Sequence, residues 1–538
     1  MLDFLICSIV RSDRTNSAKH SSWQRTADAE LSSPITVGLT LVIFLLLLVL
    51  ILCYNRFRGH LHSIPGPFIN SISSLPRLWS VWKGTSHLED VELHKKYGKI
   101  VRVSPTIVSV CDLTFFESIY GISSHFYKAG FYEACRFYDE EGLIPDPLVL
   151  ADKDMHTRMK RNAANAYSLQ ALIQIEPLVD QVLKSLLDRF DEIYVSQRKT
   201  CDLGQYMLYF AMDAIFTITF GKNLDFVRKG DTKKLCHQVR SGLPYIACVG
   251  QIPWAHKFLL GNPLVAKFLD GPSDSLAGEI MAMAVDQRAA AEKKINEDDD
   301  PSAPCTFLMR LLRNQSKSPA SLTDREINSH TFGNILAGGD TTSTAVKAIL
   351  YYLIRNPESM NRLVAKLREA GLDSKGSIVS YSDASKIPYL SAVIREAMRL
   401  HPSVGMILPR GVPPGGAILL DEQGKRYHMG GGTEIGFNPW VMQRDPDIFS
   451  DPDSFKPERW IDTDASRLKS MNRAWIAFGA GRHSCSGQHI SMLEMTKLIP
   501  SLVLKYEMEW EDGAPDIAVE NYFFTMQSGL RVRLSRRQ

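Results

Sequence analysis

The sequence predicts a mainly α fold with small β-sheets, preceded by a single N-terminal transmembrane helix. An uncharged apolar run near the N-terminus, two short β-type runs behind it and helical periodicity through most of the remainder predict this. The apolar run is "ITVGLTLVIFLLLLVLILCY", Ile35 to Tyr54. As a helix it would span roughly 30 Å, the hydrocarbon core of a bilayer. It is too long, and starts too far behind a polar stretch, for a cleaved signal peptide. Arg56 and Arg58 follow it directly, whereas Arg25 precedes it with Asp28 and Glu30 close by. That balance predicts a cytoplasmic C-terminal side. The expected division is a lumenal tail at 1–34, the anchor at 35–54, a proline-rich hinge at 55–67 and one large domain at 68–538.

Behind the anchor, "SIPGPF" places Pro65 and Pro67 about Gly66, which predicts a rigid turn into the domain. Trp79 and Trp82 follow, suited either to lipid headgroups or to the core. "KIVRVSPTIVSVCD", Lys99 to Asp112, supplies the β-type runs. Apolar residues make up 45% and charged residues 22%, with a formal charge of +3. This excludes a disordered chain and gives no general pull toward nucleic acid. The nine cysteines are scattered, with no CxxC pair, so reduced thiols in a reducing compartment are expected rather than a zinc site. The Asn314-Gln315-Ser316 sequon would face the cytosol and stay unmodified. "NEDDDPS" around Asp299 reads as a charged, solvated loop.

Thr323 with Glu326 forms a capping-box signature, and the helical pattern continues to Arg355 with Pro357 close behind. At 1.5 Å per residue that helix is about 48 Å long. Its centre, "NILAGGDTTSTAV", is apolar on most sides yet carries Gly338, Gly339, Asp340, Thr341 and Thr342. Each glycine costs roughly 1 kcal/mol relative to alanine, and a buried aspartate costs more unless it is paired. Such breaks of local rules mark functional sites. The alternative is that the glycines admit a crossing helix and Thr341 merely bonds back to a carbonyl. A second helix, "PYLSAVIREAMRLHP", starts at Pro388 and is stopped by Pro402. Its Glu396 and Arg399 lie three apart on one face. Downstream, "FKPERW" adds Arg459.

In "FGAGRHSCSGQHISMLEM", Phe478 to Met495, Cys485 stands among Gly479, Gly481 and Gly487 at the mouth of a helix beginning near Gln488. Missing side chains let the backbone run close to something flat. The helix N-terminus turns free N–H groups and a positive dipole end toward the sulfur, which favours the thiolate, the form that ligates metals. A lone cysteine ligates iron when a macrocycle fills the other positions. A plain buried thiol is the alternative, and a dinucleotide loop is excluded because the third glycine and the βαβ unit are missing.

The ordered set resembles the cytochrome P450 family of haem-thiolate monooxygenases from about Pro65 to the C-terminus. "FGAGRHSCSG" resembles the haem loop with Cys485 as axial ligand. "AGGDTT", Ala337 to Thr342, is similar to the oxygen-activating segment. Glu396, Arg399 and Arg459 match the Glu-x-x-Arg pair and its third member. The resemblance implies the P450 fold and haem b held by Cys485 alone. It also implies propionate partners at Arg410, at Lys160 and at His483. Two departures stand out: His156 and Lys160 lie where the family commonly has Trp-x-x-x-Arg, and His483 replaces a common arginine, with Arg482 adjacent.

A thiolate ligand favours cleavage of the O–O bond, and the protons this needs would come through Asp340 and Thr341, with the glycines making room for dioxygen. The resemblance further implies an NADPH-dependent P450 reductase as electron source, the endoplasmic-reticulum membrane, a cytosolic catalytic domain and a small apolar substrate. "VELHKKYGKIVRVSP" and "FNPWVMQRDPDIF" look similar to fungal members of secondary metabolism. Phe332, Val404 and Ile407 are expected pocket walls, and Gly242 to Leu260 an access lid or a buried loop. Two rivals are an isomerase or dehydratase on the same scaffold and a haem-binding sensor.

Overall fold

Pro34 opens α1, Pro34–Phe57, in a computed structural model that describes residues 34–538 except 140, 263–264, 266–275, 298–303, 375 and 377. The expected tail, apart from Pro34, and the loop around Asp299 lie outside the described residues. Leu45, Leu46, Leu50 and Ile51 of α1 are all exposed. Among the described residues α1 is the one helix long and apolar enough to cross a membrane. The chain divides into two compact units, Met1–Arg56 and Phe57–Gln538.

The second unit begins with α2, Leu75–Trp82, and α3, Ser86–Tyr97. They are joined by a buried ion pair, Arg77 Nη1 to Asp90 Oδ1 at 2.5 Å. Trp79 and Trp82 stack at 5.0 Å and are more than half exposed, so they do not belong to the core. β1, Ile100–Arg102, and β2, Ile107–Val110, are buried along their whole length, as interior strands are when both faces are covered. The Pro65–Gly66–Pro67 turn is not a free hinge. The Arg102 N–H donates to the Pro65 carbonyl at 2.8 Å, and a Cβ at Gly66 would overlap the Arg102 carbonyl.

β3, Tyr127–Lys128, precedes a run of helices that includes α4, Lys153–Ala163; α5, Glu176–Phe190; α6, Leu203–Phe220; and α7, Leu235–Val249. The long α8, Asp324–Arg355, crosses the molecule, and α9, Pro388–Leu400, follows. β4, Arg410–Gly411, and β5, Glu434–Phe437, return to the sheet, whose order is β1-β2-β5-β4-β3. α10, Gln488–Lys505, and the hairpin of β6, Ala518–Tyr522, and β7, Phe524–Ser528, close the chain. The largest apolar cluster gathers around α8, with α5, α6, α9 and α10 contributing.

The capping box of α8 is made in both directions: the Glu326 N–H donates to Thr323 Oγ1 at 3.2 Å and the Thr323 N–H to Glu326 Oε2 at 3.0 Å. Gly338 and Gly339 have a packing cause. A Cβ on Gly338 would lie 2.6 Å from Ile215 Cγ1, and one on Gly339 would overlap Met212 Sδ. The glycines therefore let α6 cross α8 closely. Phe332, expected as a pocket wall, is buried in the core with its ring edge-on to Phe137 at 5.3 Å.

Glu396 is wholly buried and surrounded by donors. Oε1 accepts from Arg399 Nη2 and Arg459 Nε at 2.9 Å and from the Lys456 N–H at 3.0 Å; Oε2 accepts from Arg399 Nε and Trp460 Nε1 at 2.9 Å. Arg399 Nη1 also donates to the carbonyls of Gln443 (2.8 Å) and Pro452 (2.6 Å). Gln443 Oε1 in turn accepts from the Ile476 N–H at 2.9 Å, at the entry to the cysteine loop.

Glu396→Ala leaves two buried guanidiniums without their counter-charge and should cost about 3–5 kcal/mol. Little soluble protein, or a steeply lowered melting temperature by circular dichroism, is the expected outcome. His87 and His401 flank the Trp440 ring, and burial lowers their pKa values from 6.5 to about 4 and about 3. The unfolded chain takes up their protons first, so their contribution is complete above pH 6.5 and is lost as pH falls toward the folded values, at up to about 1.4 kcal/mol per pH unit per group. Thermal melts between pH 7 and pH 5 should show the decline, and His401→Phe should flatten it.

Candidate active site

The loop from Ile476 to Gly487 is shaped by its own backbone. The Gly479 N–H donates to the Ile476 carbonyl and the Cys485 N–H to the Phe478 carbonyl, both at 2.8 Å. Gly481, at φ 60°, comes so close to the Tyr120 carbonyl that no side chain would fit. The N–H groups of Gly487 and Gln488 point at the Cys485 sulfur, where α10 begins. Lys160 of α4 donates to the carbonyls of Arg482 (3.0 Å) and Ser484 (2.7 Å), clamping the loop from the other side. The sulfur is enclosed by protein yet keeps accessible surface. Burial pushes the thiol above its ordinary range, against the pull of the Gly487 N–H, Lys160 and the Gln488 N–H. Desolvation and the helix terminus thus act on this sulfur in opposite directions.

On α8, Ala337 and Thr341 keep accessible surface while Asp340 and Thr342 are buried. Thr341 Oγ1 donates back to the Ala337 carbonyl at 2.7 Å. Asp340 is paired with Arg240 of α7, Nε to Oδ1 at 2.9 Å, the partner a buried carboxylate needs. Thr342 Oγ1 and Ser491 Oγ lie 2.8 Å apart and pin α8 to α10, one residue past Thr341 and six past Cys485.

A cluster of cations stands beside the loop. The β3–β4 register sets Lys128 directly opposite Arg410, both buried. Like charges opposed across a ladder are unfavourable unless an anion joins them. Lys128 donates to the carbonyls of Pro147, at 2.7 Å, and Leu148. Burial, and then Arg410, lower its pKa to about 7. Arg410 Nη1 reaches the Pro409 carbonyl at 2.9 Å and Tyr132 Oη at 3.3 Å, but its buried Nε has no partner. His483 Nδ1 and His156 Nε2 lie 3.3 Å apart, and His156 Nδ1 is likewise buried and unpartnered. Burial, then the charges of Lys128, Lys160, Arg482 and Arg410, lower the His156 pKa to about 3.

Orphaned buried donors, two opposed cations and a thiol within the field of Lys160 suit a flat dianion with a metal at its centre. The residues present thus fit haem, whose carboxylates Arg410, His156 and His483 would hold, whereas Lys128 is engaged with the Pro147 and Leu148 carbonyls. Lys160, expected there too, is engaged with loop carbonyls. Lys128, Tyr132, Arg240 and Gln443 were not anticipated. Only the lone Lys-Arg register across two distant strands could have signalled Lys128, and sequence does not show that register.

Two of the expected walls have packing partners of their own. Ile407 packs with Val101, Val103 and Ile107, and Val404 forms a β-bridge with Phe524. The expected lid is not a buried loop, since Trp254 and Phe258 are about two-thirds exposed. Asn314 of the sequon exchanges amide hydrogen bonds with Asn165 at 2.7 and 2.8 Å.

The family model described as Cytochrome P450 matches residues 65–532. A cytochrome P450 monooxygenase of Aspergillus flavus is 33% identical over 493 residues, covering 90% of this chain and 94% of that protein. Two from Emericella nidulans are similar: cicH, 31% identical over 498 residues (92% and 98%), and pkfB, 33% over 514 residues (94% and 97%). With a thiol on a glycine-shaped loop, an acid and a threonine on the long helix and a family match across nearly the whole chain, this protein belongs to the cytochrome P450 family of monooxygenases.

Proposed function

We propose that the chain is a membrane-anchored haem-thiolate monooxygenase that inserts one oxygen atom of dioxygen into a small apolar substrate of fungal secondary metabolism, with electrons from an NADPH-dependent P450 reductase. The accessible Cys485 thiol beside orphaned cationic donors carries this reading. Haem held through the Cys485 thiolate supplies dioxygen activation, since the thiolate pushes electron density that favours O–O cleavage. The loop N–H groups and Lys160 would hold the sulfur's charge, and Arg410, His156 and His483 would hold the haem carboxylates.

Asp340 and Thr341 deliver protons. The Thr341 hydroxyl, at rest on the Ala337 carbonyl, can turn toward the cavity, and Asp340 recharges it through ordered water. Arg240, partly exposed, holds the Asp340 carboxyl in place through its Nε. This apparatus favours the oxygenase over an isomerase, a dehydratase or a sensor, none of which consumes protons. The proposed organisation is a lumenal tail at 1–34, an endoplasmic-reticulum anchor at 35–54, the turn at 55–67 and a cytosolic catalytic domain at 68–538. The exposed Trp79, Trp82, Trp254 and Phe258 are suited to lie against lipid.

Cys485→Ala should lose the carbon monoxide spectrum of a thiolate-held iron together with all oxygenase activity, measured on haem-loaded protein; retention of either overturns the assignment. Asp340→Asn should keep that spectrum but lower product formation about 10²-fold or more with reductase supplied. In Thr341→Ala, NADPH oxidation should continue while the fraction ending in product falls; full coupling would exclude the role.

A further inference from the structure

The loop ahead of α4 brings a carboxylate to α8 that the proton pathway does not use. The Ser329 hydroxyl donates to the Pro145 carbonyl at 3.0 Å, fixing the loop against the helix. One turn on, the missing side chain of Gly333 makes room for Asp146: a Cβ there would lie 2.6 Å from Asp146 Oδ2. Gly333, Ala337 and Thr341 follow at intervals of four and share one helix face, and all three keep accessible surface.

Asp146 Oδ1 is committed to its own turn, accepting from the Leu148 N–H at 2.6 Å. Among the described residues no donor reaches Oδ2. The Lys128 ammonium, whose charge acts on this carboxyl, is spent on the Pro147 and Leu148 carbonyls. Asp146 is enclosed by protein yet keeps accessible surface, as Cys485 does, and that combination marks a group facing an internal cavity. An acceptor that no protein donor reaches is free to take a hydrogen bond from a ligand.

We propose that Asp146 is a specificity-determining residue of the substrate cavity, accepting a hydrogen bond from a hydroxyl group, alcohol or phenol, at one end of an otherwise apolar substrate. This rests on the haem-thiolate reading above. Gly333 and Thr341 are eight residues apart, so the anchored hydroxyl lies on the order of 12 Å along the helix from the proton-delivering threonine. Oxidation then falls at the end of the substrate remote from the hydroxyl.

The test uses the haem-loaded full-length chain in detergent, titrated with 1-(ω-hydroxyalkyl)imidazoles of roughly six to twelve chain carbons, which bracket the ~12 Å span, and with their methyl ethers. The ring nitrogen ligates the iron and is read from the visible spectrum, and the tail samples the cavity. A hydroxyl preference of about tenfold or more, greatest at one chain length, is expected. Asp146→Asn keeps the acceptor for Leu148 but puts a donor at the second position, and should bring the preference to near one. Gly333→Ala crowds the carboxyl and should do the same; it decides alone if Asp146→Asn does not fold. No preference at any length, or a preference that survives either variant, overturns the proposal. A carbon monoxide adduct lacking the thiolate signature would instead sink the monooxygenase reading, so the two failures are told apart.

Discussion

One buried carboxylate, Glu396, holds the proximal half of the molecule in place. It accepts hydrogen bonds from Arg399, Arg459, Lys456 and Trp460, and a charge so deeply buried is tolerable only when it is saturated in this way. From it the constraint passes outward through Arg399 to the Gln443 carbonyl, and from the Gln443 side chain to Ile476. The cysteine loop hangs from that point. Its glycines then determine how the backbone turns, and Lys160 determines where the last carbonyls before the sulfur point.

The two faces of the site are held differently. The side of Cys485 is fastened by charge and backbone, whereas the side of Thr341 depends on helix contact, with α6 pressed into the glycines of α8 and Thr342 tied to Ser491. The cations beside the loop oppose one another across two strands, Lys128 against Arg410. Like charges opposed in this way are unfavourable on their own, and backbone carbonyls take up part of the cost at both residues.

Much of this was legible in the chain. The capped start of α8, the proline-bounded α9 and the helix behind Cys485 follow from local chemistry that depends on neighbours within a few residues. The Glu-x-x-Arg pair was visible for the same reason. Arg240, Lys128, Gln443 and Asp146 were not, because each acquires its role from a partner tens to hundreds of residues away or from a strand register. Gly338 and Gly339 were noticed for their local cost, but their cause, Ile215 and Met212, lies on another helix. At the sulfur, the local dipole is readable in sequence and the depth of burial is not.

The contact between Met212 and Gly339 also carries a liability. The thioether occupies the space where a methyl group would be, in a protein whose reaction handles activated oxygen nearby. A sulfoxide at Met212 would add a polar atom to a junction already too tight for a Cβ. Stray oxidant would then be registered as a wedge between two core helices, and the lifetime of the catalyst would be tied to how rarely its own chemistry misfires.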